Sequence, residues 1–184
     1  MIQRTTLNNG IRVLSEKVPG CHSVSLGVWV NNGSRHETAE INGISHFVEH
    51  MLFKGTEGRS AQAVAREVDS VGVLLNGFTS REFSCYFVKI LAEKLPMAVD
   101  LLGDLICNSK FNLDDIEKER RVILQEIAMI DDRPEESIHD QFSSRFWAGH
   151  SLGRPVIGTP GTVGDIDRRQ ILDFMGRRYV GKNI

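Results

Sequence analysis

Two histidines and a glutamate lie within one short segment, "GISHFVEHMLFKG", residues 43–55. His46 and His50 are four residues apart, and on a helix such positions lie on one face, a turn apart. Neutral imidazole binds zinc well, and a catalytic zinc site needs three protein ligands and a water molecule. Glu49 is too close in sequence to both histidines to be the third ligand, but it is well placed to take a proton from that water. Two ordinary histidines on a helix are the alternative, because so short a string also arises by chance.

A third ligand would have to come from a distant part of the chain, and the long helical pattern over 112–132 offers Glu117, Glu119 and Glu126. Glu119 and Glu126 are seven residues apart, so they share one stripe of that helix. The residues around Glu126, "VILQEIAMI", are apolar, which predicts a buried carboxylate in need of a partner such as a metal ion. The alternative is a charge at the edge of an apolar stripe, facing water.

The elements that must position these residues follow from periodicity and from turn and cap residues. Asn9-Gly10 predicts a hairpin over 4–18, and alternation at Val24, Leu26, Val28 and Val30 predicts a strand over 23–32. A helix is expected from Ile44 to Gly55. The remaining pattern predicts two strands within 73–91, joined by a turn near 79–82. It also predicts a loop-rich segment after residue 150. Further helices are predicted over 60–72, 93–109, 112–132, 134–149 and 167–180.

This order of elements predicts an α+β fold with a mainly antiparallel sheet and helices packed on one side, because strands come early as hairpins and helices dominate later. No Gly-rich phosphate loop opens a helix and no Gly-x-Ser-x-Gly elbow occurs, which argues against P-loop enzymes and serine hydrolases. The 184 residues, 41% hydrophobic, are enough to bury a substantial core.

Charge and cysteine content exclude other classes. The net charge is −2 and the basic run "KERR" at 118–121 is interleaved with acids, so we expect a solvated helix face and no nucleic-acid partner. No apolar run is long enough for a membrane span, and no signal peptide is expected. Cys21, Cys85 and Cys107 predict free, mostly buried thiols in a reducing compartment.

Nearly the whole chain resembles the N-terminal part of the M16 zinc metallopeptidases, the family of processing peptidase β subunits and insulinase-like enzymes. The resemblance extends through "LNNGIRVLSEKV", "GVWVNNGSRHE", "NGISHFVEHMLFKGT", "LNGFTSREFSCYF", "ERRVILQEI" and "LGRPVIGT". It implies a zinc-dependent endopeptidase that hydrolyses peptides or presequences. It also implies that His46, His50 and Glu126 bind Zn²⁺, that Glu49 is the general base, and that Glu119 orients a ligand histidine.

The resemblance also implies a substrate cleft and missing partners. Asn76, followed by Gly77 and Phe78, matches the family's cleft-lining strand, with Gly77 in place of the usual alanine, and substrates add to this sheet edge as an extra strand. Residues 1–184 are expected to form a single N-terminal zinc-binding domain that lacks the C-terminal half of the chain. Such a domain is expected to expose an apolar face, which favours a homodimer. A bacterial cytoplasm is expected. The alternatives are a non-catalytic structural or recognition subunit of the family, an isolated fragment that is inactive, and a metal-binding or core helix of an unrelated enzyme.

Overall fold

Five β-strands and seven α-helices form the structure, a computed structural model that describes residues 1–184. In chain order they are β1 (Ile2–Thr6), β2 (Arg12–Glu16), β3 (Ser23–Val30), α1 (Ile44–Leu52), α2 (Ala61–Ser70), β4 (Leu74–Thr79), β5 (Ser84–Leu91), α3 (Leu95–Asn108), α4 (Leu113–Asp131), α5 (Pro134–Phe146), α6 (Pro160–Asp165) and α7 (Arg168–Arg178). Short 3₁₀ turns occupy Ser34–His36, Ala92–Lys94, Ser151–Gly153 and Gly181–Asn183. The predicted α+β class is confirmed.

All strand pairing is antiparallel, and it is divided between two sheets. Strands β1 and β2 form the predicted hairpin, in which Thr6 pairs with Arg12 and Gly10 takes a positive φ of 92° in the turn. The other sheet has the order β3-β5-β4. Strand β4 therefore pairs only with β5, and its second edge has no strand beside it.

One face of the three-stranded sheet is buried against helices. Val28 and Val30 of β3 lie opposite Tyr86 and Ser84 of β5, and Val88 continues the same face. The apolar members of this set join one core with residues of α1, α3, α4, α6 and α7. Alternation with a period of two produces this arrangement, because every second side chain points to the same side of a sheet.

The opposite face of the sheet carries a cluster of aromatic rings that no helix covers. Trp29 lies 6.0 Å from Phe78 and 5.1 Å from Phe83, ring centroid to ring centroid, and Phe78 lies 6.4 Å from Phe87. Trp29 is 54% exposed, and Trp29 and Phe78 are the strand partners of Cys85, which is 1% exposed. The helices thus pack on one side of this sheet, as predicted.

The segment expected to be loop-rich contains a helix that the sequence pattern did not predict. Helix α6 begins after Thr159, whose hydroxyl accepts a hydrogen bond from the amide of Thr162, while the Thr162 hydroxyl accepts one from the amide of Thr159. This reciprocal cap usually has Glu or Gln at the third helical position. A threonine in that place, with several glycines nearby, concealed the helix start.

Two predictions, one about the burial of the cysteines and one about the exposure of residues 118–121, were wrong in part. All three cysteines are free, but only Cys85 is buried, and Cys21 and Cys107 are exposed. Within "KERR", Arg120 is largely buried: its guanidinium lies 5.6 Å from the centroid of the Phe47 ring and donates to the carbonyl of Ile166 at 2.7 Å. Arg120 therefore ties α4 to α1 and to the end of α6.

None of the helices combines the length and the apolar character that crossing a membrane requires.

Candidate metal centre

Helix α1 carries the two histidines and the glutamate of the motif. Ile44, Phe47, Val48 and Met51 are at most 1% exposed and hold one side of the helix in the core. His46, Glu49 and His50 lie on the remaining surface, half-buried. The rings of His46 and His50 are 4.7 Å apart, centroid to centroid, as expected for positions one helical turn apart.

The start of α1 is held by a carboxylate from outside the helix. Gly43, which precedes α1, has a φ of 97° and offers no side chain as a cap. Instead Glu37, 4% exposed, accepts hydrogen bonds from the amides of Gly43 at 2.8 Å and Ser45 at 2.9 Å and from Nδ2 of Asn42 at 2.9 Å. The sequence pattern does not mark Glu37 as a cap, because Glu37 lies outside the usual capping distance from α1. The quoted segment "GVWVNNGSRHE" was the only signal.

We expect replacement of Glu37 by alanine to lower the free energy of unfolding by about 2–4 kcal/mol, because it leaves buried amide donors without an acceptor. Urea unfolding followed by circular dichroism measures the change. Glu40→Ala is the matched control, since Glu40 is exposed and a surface substitution of this kind changes stability by about 0.5 kcal/mol or less. Equal unfolding midpoints for both variants would contradict the capping role of Glu37.

The third candidate ligand, Glu126, reaches the histidines from α4. Its Oε2 lies 3.8 Å from Nε2 of His46 and 3.6 Å from Nε2 of His50. The potential ligand atoms of the three residues all lie within 4.8 Å of one another. In a tetrahedral zinc site, bond lengths of about 2.0–2.2 Å place ligand atoms roughly 3.3–3.5 Å apart. These residues therefore fit a zinc ion after a small contraction.

The exposure of Glu126 differs from the sequence prediction. Its side chain is 42% exposed, whereas Ile123 and Ile127 beside it are buried. Each residue of an α-helix is rotated by about 100° about the helix axis from the one before it. The apolar residues next to Glu126 in sequence can therefore face the core while Glu126 itself faces partly outward. The cluster is therefore open on the side of Glu126, which leaves room for a further ligand.

Glu119 lies behind His50 instead of facing the cluster. It is 7% exposed, and its Oε2 lies 3.1 Å from Nδ1 of His50. A proton on Nδ1 would be donated to this carboxylate and would leave the lone pair of Nε2 directed toward Glu126. That Glu119 orients a ligand histidine stays a prediction.

The two histidines differ in proton affinity. Burial, together with the charge of the neighbouring His50, lowers the pKa of His46 to about 4, against the opposing effect of Glu126. Burial also acts to lower the pKa of His50, but interactions with Glu126 and Glu119 outweigh it and raise that pKa. Contact with His50 lowers the pKa of Glu126. Of the two imidazoles, His50 therefore accepts a proton more readily than His46.

Glu49 differs from the other acids of the cluster because one of its carboxylate oxygens is buried without a partner. Its Oε2 is buried and makes no hydrogen bond. Burial raises the pKa of Glu49, although the nearby hydroxyl and amide of Thr79 partly oppose the rise. A carboxylate with a raised pKa accepts a proton more readily near neutral pH, which suits a general base. Thr79 is not marked by any sequence signal as a neighbour of Glu49.

A pair of buried phenols lies in the same region. The hydroxyls of Tyr86 and Tyr179 are 2.6 Å apart. Burial raises the pKa of both, and the charge of Glu49 adds to each rise. Both phenols therefore stay neutral, and they bring β5 and the end of α7 together beneath Glu49.

The predicted cleft residues of β4 divide between the two faces of the sheet. Gly77 lies on the buried face opposite Tyr86, and a Cβ at Gly77 would be 2.9 Å from Cδ1 of that ring. Asn76 and Phe78 point to the other face, where Phe78 joins the aromatic cluster. Beside Glu49, these two residues can therefore act only through their backbone. The glycine that replaces the usual alanine provides the space for Tyr86.

An antiparallel α+β domain that gathers two histidines and a carboxylate beside a half-buried glutamate has the architecture of a metallohydrolase domain. The chain belongs to the insulinase family, peptidase family M16, whose sequence profile matches residues 12–160. An uncharacterised zinc protease of Mycobacterium tuberculosis is 48% identical over 177 residues, 96% of this chain and 40% of the relative. The mitochondrial-processing peptidase subunit β of Dictyostelium discoideum is 43% identical over 181 residues, 98% of this chain and 38% of the relative.

Solved structures share the fold over the full chain. A protease from Helicobacter pylori superimposes with a TM-score of 0.95 at 25% identity, covering 100% of this chain and 44% of that protein. An M16 peptidase inactive domain from Pseudomonas fluorescens superimposes with a TM-score of 0.92 at 17% identity, which is a likeness of fold alone. The chain thus spans less than half the length of the relatives and structures that it matches.

Proposed function

We propose that this chain is the zinc-binding part of an endopeptidase that hydrolyses peptide bonds in peptides or presequences. The observation that carries the proposal is the convergence of His46, His50 and Glu126 next to Glu49, which has a buried oxygen without a partner. Membership of a family that includes proteins named zinc proteases supports it.

In this proposal each residue of the cluster has one task. His46, His50 and Glu126 would hold Zn²⁺, which supplies Lewis acidity toward a peptide carbonyl and lowers the pKa of a water molecule. Glu49 would take a proton from the attacking water and pass it to the leaving amine. Its raised pKa and its buried Oε2, which makes no hydrogen bond, support this role.

The substrate would bind along β4 as an additional strand. The second edge of β4 is free of any strand, and β4 packs against α1, which carries Glu49. Backbone pairing at a sheet edge binds an extended peptide with little demand on its sequence. Asn76, Gly77 and Phe78 would contribute chiefly through backbone groups, and the aromatic cluster would lie on the far face of the sheet.

A C-terminal half of the same protein would complete the cleft. Relatives and structural neighbours are more than twice the length of this chain. Helix α5 presents Ile138, Phe142 and Phe146, each at least 60% exposed, one helical turn apart along its surface. This apolar row would suit contact with the other half or with a second copy of the chain. The homodimer and the cytoplasmic location remain predictions.

The second candidate function is a non-catalytic subunit or domain of the family. A domain described as inactive shares the fold, so the fold by itself does not separate this candidate from the enzyme. The presence of His46, His50, Glu126 and Glu49 together favours the enzyme, since a domain with a purely structural role needs none of them at these positions.

Zinc titration combined with a peptide-cleavage assay tests the proposal. We expect the metal-free chain to bind a single zinc ion, and we expect cleavage by the full-length protein to stop with a chelator and return with zinc. Assaying the isolated chain in parallel shows whether it acts alone. A folded chain that binds no zinc would refute the proposal. Zinc binding without cleavage by the full-length protein would favour the non-catalytic candidate.

A further inference from the structure

Lys54 forms the outer end of a chain of contacts that leads to His50. Its Nζ lies 2.7 Å from Oε1 of Glu119, and the other oxygen of Glu119 lies 3.1 Å from Nδ1 of His50. Lys54 follows the end of α1 closely, and its amide donates to the carbonyl of Met51 at 3.0 Å. The lysine is therefore fixed to the same helix as the histidine whose partner it contacts.

Glu119 depends on both contacts. The carboxylate is 7% exposed, and Lys54 and His50 are its polar partners, one at each oxygen. A buried charge is costly unless it is paired and hydrogen-bonded, and removing one partner of such a pair exposes that cost. Without the ammonium group of Lys54, the carboxylate would be free to rotate toward water and away from His50.

We infer that Lys54 is a positioning residue for the metal site: it holds Glu119 so that His50 keeps its proton on Nδ1 and presents Nε2 to the ion. The inference rests on the proposed zinc-binding function. Lys54 itself lies outside the cluster, because its ammonium group faces Glu119. The positive charge of Lys54 thus supports the site without approaching the ion.

Three variants of the chain test this role. Lys54→Met keeps the length of the stem but removes the charge, whereas Lys54→Arg keeps the charge. Lys118→Met is the matched control, since Lys118 also pairs with an acid on α4, Asp115 at 3.2 Å, but is 67% exposed and not in contact with the cluster. Zinc affinity is measured by competition with a chromogenic chelator. The protonated nitrogen of His50 is read from ¹⁵N chemical shifts in the metal-free chain, at a pH above the raised pKa of His50, where the ring is neutral.

We expect Lys54→Met to weaken zinc binding about 10-fold or more, in the range found for groups that orient metal ligands, and to populate the Nε2-protonated form of His50. Lys54→Arg should stay within about 3-fold of the unsubstituted chain, as should Lys118→Met. Equal losses for Lys54→Met and Lys54→Arg, or an unchanged His50 tautomer in Lys54→Met, would overturn the inference. The tautomer measurement needs no metal, so it separates a failure of this inference from a failure of zinc binding itself.

Discussion

Replacing His50 with alanine is expected to weaken zinc binding by at least about 100-fold. Zinc held by protein ligands is bound with roughly 10–16 kcal/mol shared among its ligands, so the loss of one ligand should cost about 10²–10³-fold in affinity. Glu119 would also remain buried with only Lys54 as a partner, so the variant should be less stable than the unsubstituted chain. Competition with a chromogenic chelator measures the affinity, and circular dichroism checks that the variant is folded.

His22→Ala serves as the control for this experiment, because His22 is exposed and distant in sequence from the cluster. Its affinity for zinc should match that of the unsubstituted chain. Glu126→Gln extends the test to the third ligand, since the amide keeps the shape of the side chain but is a far weaker ligand for zinc. Unchanged affinity in His50→Ala or in Glu126→Gln would place the ion elsewhere.

Replacing Glu49 with glutamine should separate metal binding from catalysis. We expect zinc affinity within a few-fold of the original, because Glu49 is not a ligand in the proposed site. Peptide cleavage should fall by about 10²–10⁴-fold, the usual contribution of a general base. The assay requires whichever form of the protein cleaves peptides, the isolated chain or the full-length protein. Glu93→Gln, at an exposed position, is the control and should leave the rate unchanged.

Stability provides a second measurement on Glu49→Gln. Because burial raises the pKa of Glu49, the folded metal-free chain holds its proton more tightly than the unfolded chain does. The original chain therefore loses stability as pH rises from the unfolded value of about 4.3 through the folded pKa. Glutamine does not ionise, so the variant should be the more stable of the two at neutral pH, and the advantage should vanish below about pH 4. A normal cleavage rate in Glu49→Gln would refute the role of Glu49 as base, whatever its stability.

Local periodicity predicted most of the secondary structure because its signals lie within a few residues of one another. Alternation at Val24–Val30 specified β3, and Asn9-Gly10 specified the first hairpin. Ser60 caps α2 as expected, with its hydroxyl accepting from the amide of Ala63. Helix α6 was missed because its cap uses a threonine pair instead of the usual acid or amide.

The tertiary structure decided which distant groups meet. Glu37 reaches the start of α1 only because the chain folds back before Gly43, and Thr79 approaches Glu49 only because β4 packs beside α1. The need for Gly77 follows from the ring of Tyr86 on the adjacent strand. No spacing rule relates these residues, since contacts across a fold depend on packing and not on separation along the chain.

For the candidate metal centre, the sequence by itself placed His46, Glu49 and His50 on one helical face, because a turn of helix fixes residues four apart. The resemblance to a known family singled out Glu126 and Glu119. Only the packing of α4 against α1 brought Glu126 within 3.6 Å of His50, set Glu119 behind it, and left Glu126 open to solvent instead of buried. The orientation of a side chain around its helix axis relative to the core, and not the polarity of its neighbours in sequence, decides that exposure.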